Sequence, residues 1–209
     1  MNGRPWHYGV LKRALDLLVS AVSLLLLALP MALIALAVRW RMGAPVLYCQ
    51  ERPGLHAKPF RLYKFRSMTA ERDAEGRLLS DGERLTPLGR LLRRTSLDEL
   101  PELWLILTGK MSLVGPRPLL MRYLPRYSAR QTRRHAVRPG LTGWAQVNGR
   151  NAVTWEERLE MDVWYVEHAS LALDLRILLR TLGAVLRGEG ISQKGHATMP
   201  EFMGTEQPS

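Results

Sequence analysis

The chain has 209 residues, 46 % of them hydrophobic, which is enough for one compact domain plus a membrane segment and argues against a disordered protein. Lysine and arginine outnumber aspartate and glutamate by 30 to 19, and the net charge of +11 favours polyanionic partners: nucleic acid, anionic lipid or phosphorylated substrates. The single cysteine, Cys49, excludes an intramolecular disulfide and a cysteine metal cluster, and its apolar neighbours predict a small core residue.

The first predicted element is an apolar helix that follows a polar lead-in over residues 1–10 and ends near Met42. Residues 17–38 contain no charged side chain, and this length is sufficient to cross the core of a bilayer. A signal peptide is the first alternative, but its apolar core is normally shorter and a small-residue cleavage site should follow. We therefore predict a membrane helix that belongs to the mature protein.

Two features of this helix bear on its path through the membrane. Pro30 lies in its middle, where proline removes a backbone hydrogen bond and kinks the helix. Basic residues flank both ends, with Lys12 and Arg13 before the apolar stretch and Arg39 and Arg41 after it, and such flanks prefer the cytoplasmic side. The residues alone favour equally a kinked spanning helix and a re-entrant helix that enters and leaves through one leaflet.

The rest of the chain predicts a mixed, mostly α-helical domain with a small β-hairpin. The hairpin is expected around a turn-rich stretch, and the helices are expected after capping residues. The predicted elements are strands over 46–50 and 60–65, a helix capped by Thr86, a helix from Ser96–Asp98 to Thr108, a helix from Thr154 to His168, and a last helix over 170–187. The start of the second of these helices is open, because Pro101 and a Ser-x-x-Glu box favour different caps.

The last predicted helix combines an apolar stripe with several arginines. Such a helix suits a membrane interface, and packing against the core is the commoner use of the stripe. The stripe consists of Leu171, Leu175, Leu178, Leu182 and Val185.

Two adjacent carboxylates, Asp98 and Glu99, are the first candidates for chemistry. Both lie at a predicted helix start, which attracts phosphate but also stabilises acidic residues, so capping alone could explain them. Two acids near several arginines are what a Mg²⁺-dependent phosphate reaction needs, because the cation bridges carboxylate and phosphate while arginines offset charge. The candidate phosphate-binding residues are Lys64, Arg93, Arg117 and Arg150. Spacing leaves open whether they converge or are ordinary solvated charges.

An ordered set of motifs resembles the small monotopic phosphoglycosyl transferases, which initiate bacterial glycan assembly. The matching stretches are residues 12–13, 63–68, 93–101, 111–118, 137–143 and 146–151. The resemblance implies a lead-in and Pro30-kinked re-entrant membrane helix over residues 1–42, a cytoplasmic-face catalytic domain with amphipathic interfacial helices over 43–190, and a C-terminal tail over 191–209. It places the protein as a monotopic enzyme among the lipids of the bacterial inner membrane, and homo-oligomer formation stays open.

The resemblance also implies a two-step reaction. Asp98 would attack the β-phosphate of a UDP-sugar and expel UMP, and undecaprenyl phosphate would then take the sugar phosphate from the aspartate. Glu99 would complete the acidic pair that holds Mg²⁺. The positions that match the family's phosphate-binding residues are Lys64, Arg93, Arg117 and Arg150. The tail over 191–204 resembles members that act on UDP-linked N-acetylated bacillosamine-type sugars.

Two other classes of function are compatible with parts of the sequence. The positive charge would suit a membrane-anchored nucleic-acid-binding protein, but the chain has no evident recognition helix or aromatic stacking platform, so we expect no nucleic acid among its partners. An inactive scaffold for glycan enzymes is the second alternative, and the intact pair of Asp98 and Glu99 argues against it.

Overall fold

The described part of the chain, residues 6–149, 153–187 and 201–204 of a computed structural model, is mostly helical with two small sheets. This agrees with the predicted class. The elements are α1 (Trp6–Met42), β1 (Leu47–Pro53), β2 (Pro59–Phe65), α2 (Asp81–Arg84), α3 (Pro87–Arg94), α4 (Glu102–Leu107), β3 (Ser112–Val114), α5 (Ala129–Thr132), β4 (Gly140–Thr142), α6 (Trp144–Asn148), α7 (Trp155–His168) and α8 (Leu171–Leu186). Short 3₁₀ turns lie at Leu55–Ala57, Leu97–Glu99, Met121–Arg126 and Arg133–Ala136.

Each of the two sheets has two strands. Strands β1 and β2 form the predicted antiparallel hairpin, with Leu47 opposite Phe65 and Pro53 opposite Pro59, so it is longer than predicted. Strands β3 and β4 pair in parallel, an arrangement that the sequence did not indicate. Cys49 is exposed on β1, and its predicted place in the core is therefore wrong. A two-stranded hairpin leaves much of its surface uncovered, so apolar neighbours did not ensure burial.

Helix α1 has the length and composition of a membrane helix. Its most apolar 18 residues have a mean hydropathy of 2.7, and only 6 % of them are buried. A core helix of a soluble protein would be largely covered, so this exposed apolar surface is compatible with insertion into a bilayer. Helical geometry continues through Pro30.

The first turns of α1 are bound to the domain by polar contacts. Arg13 donates hydrogen bonds of 2.7 and 2.9 Å to the carbonyl oxygens of Ile106 and Leu107, where it satisfies the C-terminal end of α4. The buried carboxylate of Asp16 accepts a 2.9 Å hydrogen bond from the backbone N–H of Leu113. Lys12 Nζ lies 2.7 Å from a carboxylate oxygen of Asp174, and this ion pair joins the start of α1 to α8.

The far end of α1 packs against the same domain. Val38 is buried together with Phe65 of β2 and Leu92 of α3. The guanidinium of Arg66 donates hydrogen bonds to the carbonyl oxygens of Met42 and Gly43, at the end of the helix. Both ends of α1 therefore contact one domain, on either side of Pro30.

The main core lies between α4, β2, β3, α7 and α8. Ile106, Met111 and Ile177 are fully buried in it. The residues of the predicted stripe on α8 differ in burial, because Leu178 packs against the core while Leu175 and Leu182 are exposed. The stripe therefore divides, and part of α8 presents apolar side chains outward.

A short C-terminal segment, residues 201–204, packs on the outer side of α7. Phe202 is 1 % exposed and lies among the rings of Tyr123, Tyr127 and Trp155. The stretch 191–200, which carries most of the resemblance in the tail, lies outside the described residues.

Candidate active site

The two adjacent carboxylates lie in a tight 3₁₀ turn, Leu97–Glu99, between α3 and α4. The capping box at Ser96, one of the two starts that the sequence left open, does not form: Ser96 has a left-handed backbone (φ 57°), and its side chain makes no cap hydrogen bond. Helix α4 begins only at Glu102, after Pro101. A non-glycine residue in this backbone region is strained, and such strain is often found at functional sites. The turn directs the two acids toward β2 and the loop after β3, and Glu99 is used there instead of in a cap.

Glu99 is held between two cations. Lys64 Nζ of β2 lies 2.5 Å from Glu99 Oε1, and the guanidinium of Arg117 donates to the same oxygen. Burial alone would raise the pKa of Glu99, but Arg117 and Lys64 outweigh it and hold the pKa at about 2. Glu99 therefore stays ionised, and its charge raises the pKa of Arg117 in turn. Lys64 and Arg117 therefore fix the position of Glu99 through its Oε1.

Asp98 differs from its neighbour, although it is equally buried. Among the described residues its carboxylate accepts no hydrogen bond and forms no ion pair. Burial raises the pKa of Asp98, the charge of Glu99 raises it further, and Lys64, Arg117 and Arg93 counteract these effects. Asp98 thus has unengaged oxygens next to three cationic side chains. A carboxylate in that setting can act as a nucleophile or as a metal ligand.

Arg93 reaches the site because α3 packs closely on the residues after β2. The Thr86 hydroxyl caps α3 by accepting a 2.9 Å hydrogen bond from the N–H of Gly89, as predicted. A side chain at Gly89 would collide with the carbonyl oxygen of Ser67 at 1.8 Å, so glycine permits the close approach. Arg93 Nε then donates a 3.0 Å hydrogen bond to Ser67 Oγ, which orients the guanidinium beside Asp98.

Arg117 is carried by the loop that follows β3. Gly115 lies against β4, where a side chain would meet the carbonyl oxygen of Arg138 at 2.4 Å. Pro116 and Pro118 flank Arg117 and restrict its backbone, as the sequence suggested. The close pairing of β3 with β4 therefore determines the direction from which Arg117 approaches Glu99.

The predicted site residues thus come together except for one that cannot be placed. Lys64, Arg93 and Arg117 all lie around the acidic pair. Arg150 lies outside the described residues, so its predicted role stays a prediction. The spacing of these residues along the sequence had left open whether they lie close together in the folded protein.

Glu102 is a charged residue of this site that sequence reasoning missed. Glu102 is 2 % exposed, and its carboxylate lies 3.3 Å from Lys64 Nζ, so Lys64 contacts both glutamates. Burial raises the pKa of Glu102 to about 7, with Lys64 opposing the shift and Glu99 adding to it. The sequence carries a signal for Glu102, because it is the third carboxylate within residues 98–102 and lies about one helical turn after Glu99.

The site can be tested against the chemistry of Mg²⁺. This ion is usually held by one or two carboxylates together with substrate phosphates and water. The described residues contain no group of three or more histidine, cysteine or acidic side chains placed to hold a metal by themselves. The unengaged carboxylate of Asp98 fits the role of a protein ligand that shares the ion with a phosphate. Glu99 Oε1 already accepts from Lys64 and Arg117, and its Oε2 lies 3.5 Å from Arg117, so Asp98 is the less engaged ligand of the two.

The sequence of the chain is similar to the sequences of several known proteins. EpsL, an uncharacterized sugar transferase of Bacillus subtilis (strain 168), is 55 % identical over 197 residues, which cover 94 % of this chain and 97 % of EpsL. The UDP-glucose:undecaprenyl-phosphate glucose-1-phosphate transferase of Escherichia coli (strain K12) is 40 % identical over 185 residues, which cover 83 % of this chain and 39 % of that protein.

A third relative has a similar relationship to the chain. The undecaprenyl-phosphate galactose phosphotransferase of Salmonella typhimurium is 39 % identical over 198 residues, covering 86 % of this chain and 41 % of that protein. The chain thus spans nearly all of EpsL and about two fifths of the other two relatives. A sequence model of the family described as bacterial sugar transferase matches residues 7–188, and the chain belongs to this family.

Proposed function

We propose that the protein transfers a sugar 1-phosphate from a UDP-sugar to undecaprenyl phosphate, with Asp98 as the nucleophile. The observation that carries the proposal is the contrast within the acidic pair: Glu99 is bound by Lys64 and Arg117, whereas Asp98 is buried beside them without a partner among the described residues. Membership of the sugar transferase family supports it, as do relatives whose names specify this donor and acceptor chemistry.

The reaction has two displacements at the same phosphorus. An oxygen of Asp98 attacks the β-phosphorus of the donor, the bond to the α–β bridging oxygen breaks, and UMP leaves with the electron pair. An oxygen of undecaprenyl phosphate then attacks the aspartyl phosphosugar and releases the free carboxylate. Splitting the transfer in this way means that a soluble donor and a lipid acceptor need not be bound together.

The basic residues have separate parts in these steps. Arg93, hydrogen-bonded to Ser67, lies on the Asp98 side and offsets charge on the transferring phosphoryl group. Arg117 and Lys64 hold Glu99 ionised, so the acidic pair keeps its position when the highly charged donor enters. Arg150 stays a proposed phosphate ligand from the family resemblance.

Mg²⁺ is proposed as the metal cofactor, with Asp98 as its principal protein ligand and Glu99 as the neighbouring acid that orients the site. When bound, the ion neutralises phosphate charge and lowers the repulsion between donor and carboxylate. The residues of the chain supply everything else in the proposal: burial of Asp98, a fixed Glu99 and the surrounding cations.

The proposed setting is the cytoplasmic face of the bacterial inner membrane, with α1 re-entrant and the exposed leucines of α8 at the lipid interface. This topology is supported by the contacts at both ends of α1, because Arg13 and Val38 touch one domain on either side of Pro30. It would bring the polyprenyl acceptor to the level of the acidic pair, since Leu97 and Leu100 pack with the second half of α1. The bacillosamine-type donor stays a prediction.

The test is UMP release by the detergent-solubilised protein with Mg²⁺, undecaprenyl phosphate and a panel of UDP-sugars that includes glucose, galactose and N-acetylated donors. We expect one donor class to release UMP and Asp98→Asn to lower the rate by about 10³-fold or more. The matched control is Glu75→Gln, since Glu75 is an exposed acid far from the pair in sequence. Without acceptor, the wild type should release at most one equivalent of UMP. Wild-type rates in Asp98→Asn would exclude the covalent mechanism.

A further inference from the structure

An open groove of about 410 Å³ lies between α6 and α8. Val147 of α6 lines it together with Leu179 and Gly183 of α8, and Arg180 and Arg187 bring positive charge to it. Among the described residues, no acidic side chain lines the groove. Apolar surface next to two guanidiniums suits a ligand that is both anionic and apolar. The proposed reaction assigns no part to these residues.

Arg180 is held in place by two neutral groups. Its Nη1 donates a 2.6 Å hydrogen bond to Oδ1 of Asn148, and its guanidinium lies over the ring of Trp144 at 5.7 Å from the centroid. Both contacts orient the guanidinium, and neither supplies a negative charge. An anion that enters the groove therefore meets a cation that is already oriented, so little side-chain freedom is lost on binding.

Gly183 provides the space beside the second cation. A Cβ atom at this position would lie 3.3 Å from Nη1 of Arg187, which shows that the Arg187 side chain turns back along the helix next to the glycine. Glycine is an unfavourable residue in the middle of a helix. Here it keeps the groove open between Arg180 and Arg187.

Helix α8 begins at the depth at which α1 enters the proposed membrane. The carboxylate of Asp174, in the first turn of α8, binds Lys12 Nζ at 2.7 Å and accepts a 3.1 Å hydrogen bond from the hydroxyl of Tyr8. Both partners lie just before the charge-free stretch 17–38 of α1. In the proposed setting, this junction holds α8 at the level of the lipid headgroups.

Exposed leucines extend the apolar side of the groove along α8. Leu175, Leu179 and Leu182 recur at the spacing of one helix face, and they are 56 %, 62 % and 56 % exposed. An arginine beside such a face keeps its charged end at the headgroups while the leucines contact acyl chains. A soluble anion would leave these leucines in water, so a lipid is the ligand that uses both parts of the groove.

We propose that the groove binds the headgroup phosphate of an anionic phospholipid, such as phosphatidylglycerol, in the leaflet that faces the catalytic domain. Arg180 and Arg187 bind the phosphate, Gly183 leaves room for it, and the leucines of α8 contact the acyl chains. A zwitterionic lipid is the poorer ligand, because its amine would bring a further positive charge to two guanidiniums. The inference rests on the proposed membrane setting of α8 and is independent of the chemistry at Asp98.

The test is thermal unfolding of the full chain in a neutral detergent with added lipid, followed by tryptophan fluorescence. Phosphatidylglycerol at roughly 30 times its dissociation constant should raise the Tm by about 4–8 °C, whereas phosphatidylcholine with the same acyl chains should raise it by less than about 1 °C. A rise in salt from about 0.05 to 0.5 M should weaken the binding of phosphatidylglycerol, because exposed guanidiniums are screened. Inorganic phosphate and glycerol 3-phosphate, which have no acyl chains, should not shift the Tm at the same concentrations.

Two variants separate charge from shape. The double variant Arg180→Gln, Arg187→Gln should raise the dissociation constant of phosphatidylglycerol by roughly 30-fold, at about 5-fold for each arginine. Gly183→Leu keeps both charges but fills the groove, so it should also abolish the Tm shift. Its Tm without lipid should be no lower than that of the wild type, because leucine is a better helix former than glycine. Without phosphatidylglycerol, both variants should release UMP at the wild-type rate.

The matched control is the double variant Arg130→Gln, Arg133→Gln. It removes the same two charges from exposed arginines that pair with Glu160 and Glu167, and it should keep the Tm shift. Loss of the shift in this control would overturn the inference, because net charge alone would then explain lipid binding. Equal stabilisation of the wild type by phosphatidylcholine would also overturn it.

Undecaprenyl phosphate is the alternative lipid for this groove. If it raised the Tm, phosphatidylglycerol did not, and the variant Arg180→Gln, Arg187→Gln lost the effect, the groove would belong to the acceptor and the inference would be wrong. The two proposals fail separately. If no UDP-sugar releases UMP, the proposed function fails, but the unfolding experiment does not depend on turnover. If UMP is released and phosphatidylglycerol leaves the Tm unchanged, only the lipid site fails.

Discussion

Arg134 Nη2 donates a 2.7 Å hydrogen bond to the main-chain oxygen of Arg117, whose guanidinium binds Glu99. Arg134 is itself fixed by Asp162 of α7, with its Nη2 and Nε at 2.6 and 3.1 Å from one carboxylate oxygen. Both residues are 2 % exposed. The Arg134–Asp162 pair therefore connects α7 to the peptide from which Arg117 reaches the acidic pair.

This arrangement predicts separate effects on stability and on activity. Asp162→Asn leaves a buried guanidinium without its counterion, so the free energy of unfolding should fall by about 3–5 kcal/mol, measured by denaturant unfolding in detergent. The double variant Arg134→Met, Asp162→Leu should recover most of that stability, because it removes both charges. It should still lose about tenfold in UMP release, since the carbonyl of Arg117 is no longer held.

The pair of the exposed Arg77 with the half-buried Asp73 provides the comparison, and Arg77→Met should change stability by less than about 1 kcal/mol. If the double variant Arg134→Met, Asp162→Leu were fully active, the Arg134–Asp162 pair would have no role in positioning Arg117.

Glu102 predicts an unusual dependence of stability on pH. Its pKa is about 7 in the folded protein against 4.5 for the free side chain, so between these values only the unfolded chain gives up the proton. The free energy of unfolding should therefore fall as the pH rises from about 4.5 to 7, and level off above. Glu99 contributes in a different range, since its pKa of about 2 means that its contribution is lost only as the pH falls below 4.5.

The variant Glu102→Gln should remove this decline. It should match the wild type near pH 4.5 and exceed it by about 1–3 kcal/mol at pH 8, measured by unfolding at a series of pH values. The charged groups around Glu102 include Arg52, Lys64, Glu99 and Arg117, and all four are retained. Burial lowers the pKa of His135 to about 4, so this residue also contributes to the pH dependence of stability. Its contribution is the same in the wild type and in Glu102→Gln, and it cancels in the comparison. Parallel stability curves would contradict the assignment.

Phe202 predicts that the C-terminal segment contributes to the stability of the domain. Its ring is 1 % exposed and lies 5.6 to 5.7 Å from three aromatic rings. Phe202→Ala should lower the free energy of unfolding by about 3–5 kcal/mol, because the cavity cannot close around rigid rings. Met203, 74 % exposed, is the adjacent control, and Met203→Ala should have almost no effect. Equal effects of the two changes would mean that the segment is not docked in solution.

Local signals predicted much of the fold, and long-range pairing explains what they missed. Thr86 and Thr154 cap helices as expected, because a cap depends only on residues within one turn. The sequence left the start of the second helix open, and the structure has a 3₁₀ turn at Leu97–Glu99 before α4 begins at Glu102. Glu99 of the possible capping box binds Lys64, which is 35 positions distant. A sequence pattern cannot show such a competition.

The site was predictable to a similar extent. Motif resemblance identified Asp98, Glu99 and the cations around them, although spacing could not show that they meet. Arg134 and Asp162 were missed, because neither lies next to a glycine- or proline-rich motif and each looks like an ordinary surface charge. Burial distinguishes them, and burial follows from the packing of α7 against the loop that carries Arg117.

The topology of α1 gives the last prediction. If Pro30 marks a re-entrant bend, both ends of the helix lie on the side of the catalytic domain, as the contacts of Arg13 and Val38 suggest. The exposed Cys49 allows a simple test, because Cys49→Ser removes the only native thiol. Single cysteines at Gly9 and Trp40, both exposed, then report on the two ends, and one at Gly82 reports on the domain.

A membrane-impermeant maleimide should leave all three positions unlabelled in intact spheroplasts and label all three in inside-out vesicles. A helix that spans the bilayer must place one of its ends in the periplasm. In that case either Gly9→Cys or Trp40→Cys would be labelled in spheroplasts. Labelling of Gly82→Cys shows which side of the membrane holds the domain. That pattern would contradict re-entry, and it would also require the contacts at one end of α1 to break, because a single domain cannot bind both ends across a bilayer about 30 Å thick.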